Sequence, residues 1–198
     1  AGEHLSLYQL TIEPETPFAA LQAAGKLAVP HADHARILYD ITHEVCDAAG
    51  LPAYEISNHA RPGAECRHNL VYWRCHEYAG IGPGAHGRLD VYGSRRATAT
   101  EKQPEAWLAR VEAQGHGVVI DELLSRAEVA DEYLLMGLRL VEGIDLNRFE
   151  TLAGSPLASG QTSYLARHGL IEATSAGRLR VTRAGFPVLD AVVADLAA

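Results

Sequence analysis

Cysteine is scarce in this 198-residue sequence: Cys46, Cys66 and Cys75 are an odd set at irregular spacing. Such a set builds no disulfide framework, and reduced thiols in a cytoplasmic protein are the expectation. Methionine occurs once, at Met136. The chain therefore shows no initiator and reads as an excised or processed fragment, whose upstream part could hold the principal chemistry. No stretch approaches the roughly 18 consecutive apolar residues of a membrane-spanning helix. The opening AGEHLSLYQLTIEP lacks a basic region followed by an apolar one, so it does not read as a signal peptide. Positive charge is also short, with 17 basic against 25 acidic residues and a net charge of −8. No local basic patch overcomes that field, so nucleic acid is not an expected partner, although a pocket could still hold an anionic small molecule.

What remains is ordinary for a soluble globular protein: 47% apolar and 21% charged residues, in a chain long enough for a real core. Residues 3–12 (EHLSLYQLTI) partly alternate and are rich in β-formers, which predicts a strand that EPETP ends. Residues 31–50 place Ile37, Leu38, Ile41 and Val45 at helical spacing, with Gly50 as a stop. A strand at 53–57 (AYEIS) follows. Strand, helix and strand in that order predict a βαβ unit with parallel pairing. Residues 58–94 break the rhythm and read as a long functional loop, and 103–115 as a short amphipathic helix. From about Ser125 the pattern turns α-rich, with helices at 125–142, 145–153 and 156–168. A strand pair at 169–173 and 178–182 and a last helix at 183–196 complete a winged-helix-like α+β module. The domain boundary is placed near residue 120, giving domains 1–120 and 121–198.

The densest chemistry lies at 54–88, YEISNHARPGAECRHNLVYWRCHEYAGIGPGAHGR. Four of the ten histidines, His59, His68, His76 and His86, fall there, with Cys66, Cys75, Tyr72, Tyr78 and Trp73. A porphyrin site needs such parts: an imidazole or thiolate for the iron, aromatic faces for the ring, and arginines for propionates. Arg61, Arg67, Arg74 and Arg88 are candidates for that last role. The alternative is a histidine-rich loop satisfied by hydrogen bonds. Zinc is disfavoured because Cys66-x-His68 and the adjacent Cys75-His76 match no usual ligand spacing. The Gly80–Ala85 run fits neither a P-loop nor a dinucleotide fingerprint; its glycines suit close backbone approach to a ligand or another strand. Glu13 and Glu55, near the ends of two expected strands, are a weak signal for acid–base work, since nothing fixes their separation. The winged module offers 156–168 as a recognition helix, but residues 125–198 hold seven basic against nine acidic side chains, which favours a structural cap or protein-contact module.

The strings YEISNHARPG, RHNLVYW and GIGPGAH, with HLSLYQLTIEPETPF before them and LARHGLIE and GRLRVTRAGFPVLD after, resemble the radical-SAM family of heme chaperones and oxygen-independent coproporphyrinogen III oxidases. The resemblance covers nearly the whole chain. It implies an α/β fold: the C-terminal portion of a radical-SAM TIM-type partial barrel, then the family's small winged-helix-like C-terminal domain. The family's CxxxCxxC motif is absent, so the [4Fe–4S] cluster and S-adenosylmethionine chemistry are expected of a longer protein and not of this chain. The family's HNxxY motif stands here as His68, Asn69 and Tyr72. The resemblance makes His68 the leading heme-iron ligand, with Asn69 and Tyr72 shaping the site; Cys66 and His76 are alternative donors. By position it also places S-adenosylmethionine contacts at Leu10, Gly82, Gly84 and His86. The function it implies is a cytoplasmic heme chaperone that passes heme to apo-hemoproteins. The rival is radical-SAM decarboxylation of coproporphyrinogen III, and a DNA-binding regulator is a third class. Missing barrel strands would leave open apolar faces, so self-association of the chain is also expected.

Overall fold

The computed structural model describes residues 2–197, and the chain divides by internal contacts into residues 1–65 and 66–198. The first unit opens with β1 (His4–Ser6), which pairs with β2 (Asn58–Ala60) in the register Leu5↔His59. Between them lie α1 (Pro17–Ala23) and α2 (Ala32–Ala48). Thr16 caps α1 by accepting from the Ala19 N–H, and Pro17 stands at the first helical position, where its missing donor costs nothing.

The expected parallel pairing is corrected here: β1 and β2 are antiparallel. The segment expected to be the second strand turns back on itself. Ala53 bridges His59, Tyr54 N–H donates to Asn58, and Ala60 N–H donates to Pro52. The arm returning from that tight turn is the one that reaches β1, which reverses the direction. The first expected strand is also shorter than its alternation suggested, because only His4–Ser6 pairs, extended by Leu7 N–H to Ser57 O.

Helix α2 forms where its periodicity placed it, but its apolar stripe is not covered: Ile37 is 54% exposed and Val45 63%. The few groups that are buried in this unit include polar ones, Glu55, Asn58 and His59, beside Cys46, Leu51 and Ala60.

In the second unit, α3 (Arg67–Trp73) leads to an antiparallel meander of β3 (His86–Val91), β4 (Ser94–Thr100) and β5 (Val118–Leu123). Helix α4 (Pro104–Gln114) connects the last two strands. Nearly half of the expected long loop is thus regular structure. Tyr92 and Gly93 both have positive φ (51° and 77°) in a two-residue turn between paired Val91 and Ser94, as a type I′ hairpin requires.

The remaining elements are α5 (Arg126–Gly137), β6 (Ile144–Asp145), α6 (Leu146–Ala153), α7 (Ser159–Arg167), β7 (Ile171–Ala173), β8 (Arg178–Val181) and α8 (Leu189–Ala197). Their order and the β6-β8-β7 sheet make the expected winged-helix-like arrangement, with β6 as a strand the sequence did not show. Ser125 and Glu128 form a reciprocal capping box at the start of α5. The hydrophobic core of the unit lies here, built on Leu134, Leu138, Leu140, Ile144, Leu165 and Val192, each at most 2% exposed.

Candidate functional site

Helix α3 carries the HNxxY residues. His68 is exposed on the first turn, and the 3.6-residue period brings Tyr72 under it. Their rings meet edge to face at 4.7 Å, and Tyr72 in turn meets Tyr78 at 4.5 Å. The three rings form a continuous aromatic strip with one imidazole at its open end. Asn69 is half-buried on the same helix. Burial, more than its charged neighbours, pushes the Tyr78 phenol above its ordinary value and keeps it neutral.

The helix ends in an αL cap normally given to glycine. Cys75 takes φ 49°, its N–H donating to Tyr72 O and that of His76 to Val71 O, the Schellman pattern. Arg95 and Arg148 hold the strained residue by donating to its carbonyl at 3.1 and 3.0 Å. Burial raises the Cys75 thiol to about 11, so it is a packed group and not a thiolate donor. Cys66, at the N-cap of α3, is half-buried and reduced.

The glycine-rich segment serves the backbone. A Cβ on Gly80 would lie 2.3 Å from the His86 carbonyl oxygen, and one on Gly87 would lie 2.5 Å from Thr98 Oγ1. Thr100 ties the segment down, with its hydroxyl donating to Gly82 O and accepting from Ala85 N–H at 2.9 Å. Gly82 and Gly84 take φ values of 102° and 69°, with open space or ordinary contact where a Cβ would stand. His86 is exposed at the start of β3. Leu10, in the first unit, is 50% exposed.

Of the four arginines offered for propionates, three are already paired. Arg61 reaches Glu3 at 3.6 Å, Arg74 makes a two-point contact with Glu142, and Arg88 holds Glu132 at 2.8 Å. Arg67 stands exposed on the first turn of α3. Sequence reading missed Arg126 and Arg148, which lie far along the chain and line a cleft of about 770 Å³ in the second unit with Cys75 and His76. No group of three metal-binding side chains occurs among the described residues.

The HemN C-terminal domain family matches residues 124–188. A radical S-adenosyl methionine domain-containing protein 1, mitochondrial, of Danio rerio is 35% identical over 96% of this chain and 45% of its own length. Heme chaperone HemW of Synechocystis sp. is 40% identical over 72% of the chain and 34% of its own. HemW of Mycobacterium tuberculosis is 34% identical over 98% and 47%. The chain thus spans about half the length of the curated relatives it matches. Among solved structures, the radical SAM coproporphyrinogen III oxidase HemN of Escherichia coli superposes with a TM-score of 0.70, covering 100% of this chain and 48% of that one at 16% identity. That likeness confirms the mixed α/β fold expected from the sequence. The chain belongs to the HemW/HemN-like radical SAM family.

Proposed function

We propose that this chain is part of a heme chaperone, with heme as cargo and apo-hemoproteins as acceptors. The observation that carries the reading is the aromatic strip that starts on α3: an exposed His68 whose ring abuts Tyr72, itself edge to face with Tyr78. A neutral imidazole would ligate iron, and the tyrosine edges would meet the macrocycle. Relatives named heme chaperone HemW support it. In the reading, His68 is the metal ligand, with Asn69 and Tyr72 beside it, and Cys66 or His76 the next donors. Leu10, Gly82, Gly84 and His86 are proposed for S-adenosylmethionine. Residues 1–120 would belong to the barrel and 121–198 to the C-terminal domain. A cytoplasmic site is proposed; three vertebrate relatives carry the word mitochondrial in their names. No described helix is long and apolar enough to cross a membrane.

A [4Fe–4S] cluster does not fit this chain's residues. Cys46 and Cys75 are buried thiols, and no three metal-binding groups come together among the described residues. Cluster and S-adenosylmethionine chemistry is therefore proposed only for a longer protein. Coproporphyrinogen III decarboxylation is the second reading, favoured by the HemN fold likeness.

Transfer separates the two. Hemin-loaded protein mixed with apomyoglobin is expected to give the holomyoglobin spectrum faster than the free-hemin control at equal concentration. No acceleration, with porphyrin product formed from coproporphyrinogen by the cluster-loaded longer protein, would favour decarboxylation.

The bare stripe on α2 gives a second expectation. Ile37, Leu38, Ile41 and Val45 are each about half exposed, and such a face favours association. The isolated chain is expected to sediment above monomer mass, and Ile41→Lys to shift it toward monomer. A compact monomer at high concentration would dismiss the idea.

A further inference from the structure

The cleft at the far end of α3 from His68 holds two guanidiniums, Arg126 and Arg148, that the heme reading does not use. Its walls come from the segment after α3, the β3–β4 hairpin, the end of β5, and helices α5 and α6. One wall is apolar, formed by Leu123, Leu124, Val129 and Leu152. At about 770 Å³ its size falls within the range of small-molecule sites.

Three guanidiniums, Arg95, Arg126 and Arg148, and three carboxylates, Glu77, Asp90 and Glu132, also line it. Glu132 is held by Arg88 at 2.8 Å and Asp90 by Arg95 at 3.4 Å. Glu77 accepts from the Asp90 N–H at 2.6 Å. Two guanidiniums remain without a carboxylate partner among the described residues. Arg126 donates only to the carbonyls of Thr151 and Leu152, at the end of α6. Arg148 donates only to the carbonyls of Arg74 and Cys75, and lies over the Tyr133 ring at 4.6 Å. Those bonds fix both side chains and leave N–H groups of each guanidinium unused, since each has five donors. The local field is positive enough to register on His76, which also lines the cleft. Burial first, then Arg148, Arg74 and Arg95, lowers its pKa and holds the imidazole neutral.

We propose that this cleft binds a tetrapyrrole by its two carboxylates, Arg126 and Arg148 each taking one while the ring lies against the leucine wall. The proposal rests on the heme reading for its ligand class, but it names a separate contact surface and separate residues. Guanidinium fixed in place and short of a carboxylate is the group best matched to a propionate, and an apolar wall beside it selects a carboxylate carried on a large apolar body.

Protoporphyrin IX tests it, because the metal-free ring cannot ligate through His68. The diacid is titrated into the chain by fluorescence alongside its dimethyl ester. The diacid is expected to bind at least about tenfold more tightly than the ester, one charge-assisted contact alone being worth that factor. Arg126→Gln and Arg148→Gln are each expected to weaken the diacid several-fold and leave the ester unchanged. Equal binding of diacid and ester by the unaltered chain would overturn the proposal even if an arginine variant failed to fold, and so would no porphyrin binding at all. A parallel hemin titration keeps the two ideas apart. Hemin binding that depends on His68, without diacid preference, sinks the cleft and spares the heme reading. Diacid binding with no hemin ligation does the reverse.

Discussion

Gly143→Ala is expected to destabilise the second unit by about 3–5 kcal/mol, through backbone strain and a clash that acts on backbone atoms. Gly143 has φ 67°, and a Cβ there would lie 2.1 Å from the Leu179 carbonyl oxygen and 2.6 Å from Arg180 Cα. Both contacts belong to β8, which pairs with β6 through Ile144↔Leu179. Relief would need β6 to move away from β8, dragging the fully buried Ile144 with it. The same shift would disturb Arg178, which donates to the carbonyls of Glu142 and Gly143. Gly177→Ala is the control. Its φ is 73° but nothing lies within 4 Å of the added carbon, so only backbone strain of about 1 kcal/mol applies. Urea denaturation of both variants checks the pair. Equal losses would mean that the β6–β8 approach is not the constraint.

Leu134→Ala should cost about 2–5 kcal/mol, the range for removing a large aliphatic side chain from a packed interior. Leu134 is 1% exposed on α5, the helix that packs against both α6 and α8. Leu138, Ile144 and Val192 in the same unit are equally sealed. Collapse around the missing atoms is restricted because α5 is pinned at its start by the Ser125–Glu128 box and near its end by Tyr133, whose hydroxyl accepts the Asp145 N–H at 2.9 Å. Leu135→Ala, one residue on and 43% exposed, is expected to lose under about 1 kcal/mol. A small loss at Leu134 would place the core elsewhere.

These two positions show what local pattern can reveal. The α-rich module was legible because its helices carry apolar residues at helical spacing and α6 ends at a recognisable stop, Gly154 at φ 84°. Its first strand was not, since β6 is two residues long and is set by β8, more than thirty positions later. The hairpin of β3 and β4 hid behind Tyr92, a residue that rarely takes positive φ, so the Tyr92-Gly93 turn did not announce itself. In the first unit, composition placed a strand at 53–57, where the chain instead makes the turn that brings Asn58–Ala60 back antiparallel to β1. Periodicity marked the apolar face of α2 without saying whether anything covers it.

The candidate site divides in the same way. His68 and Tyr72 sit four residues apart, so helical spacing alone brings their rings together, and the motif could be read from the string. Tyr78 joins them through the tertiary fold. Arg126 and Arg148 reach Thr151, Leu152, Arg74 and Cys75 across tens of residues. No period in the sequence records those contacts, and a list of nearby arginines favoured ones that the fold pairs with Glu3, Glu142 and Glu132.

The most direct measurement is a hemin titration of the chain followed by absorbance, unaltered against His68→Ala, with circular dichroism to confirm the fold of each. His68 is exposed on the first turn of α3 with its ring against Tyr72, so the substitution should leave the fold intact. A shifted Soret band that saturates in the unaltered chain and is lost or displaced in His68→Ala is the expected result. An identical Soret response from both proteins would contradict His68 as the iron ligand, and no response from either would contradict heme binding by this chain.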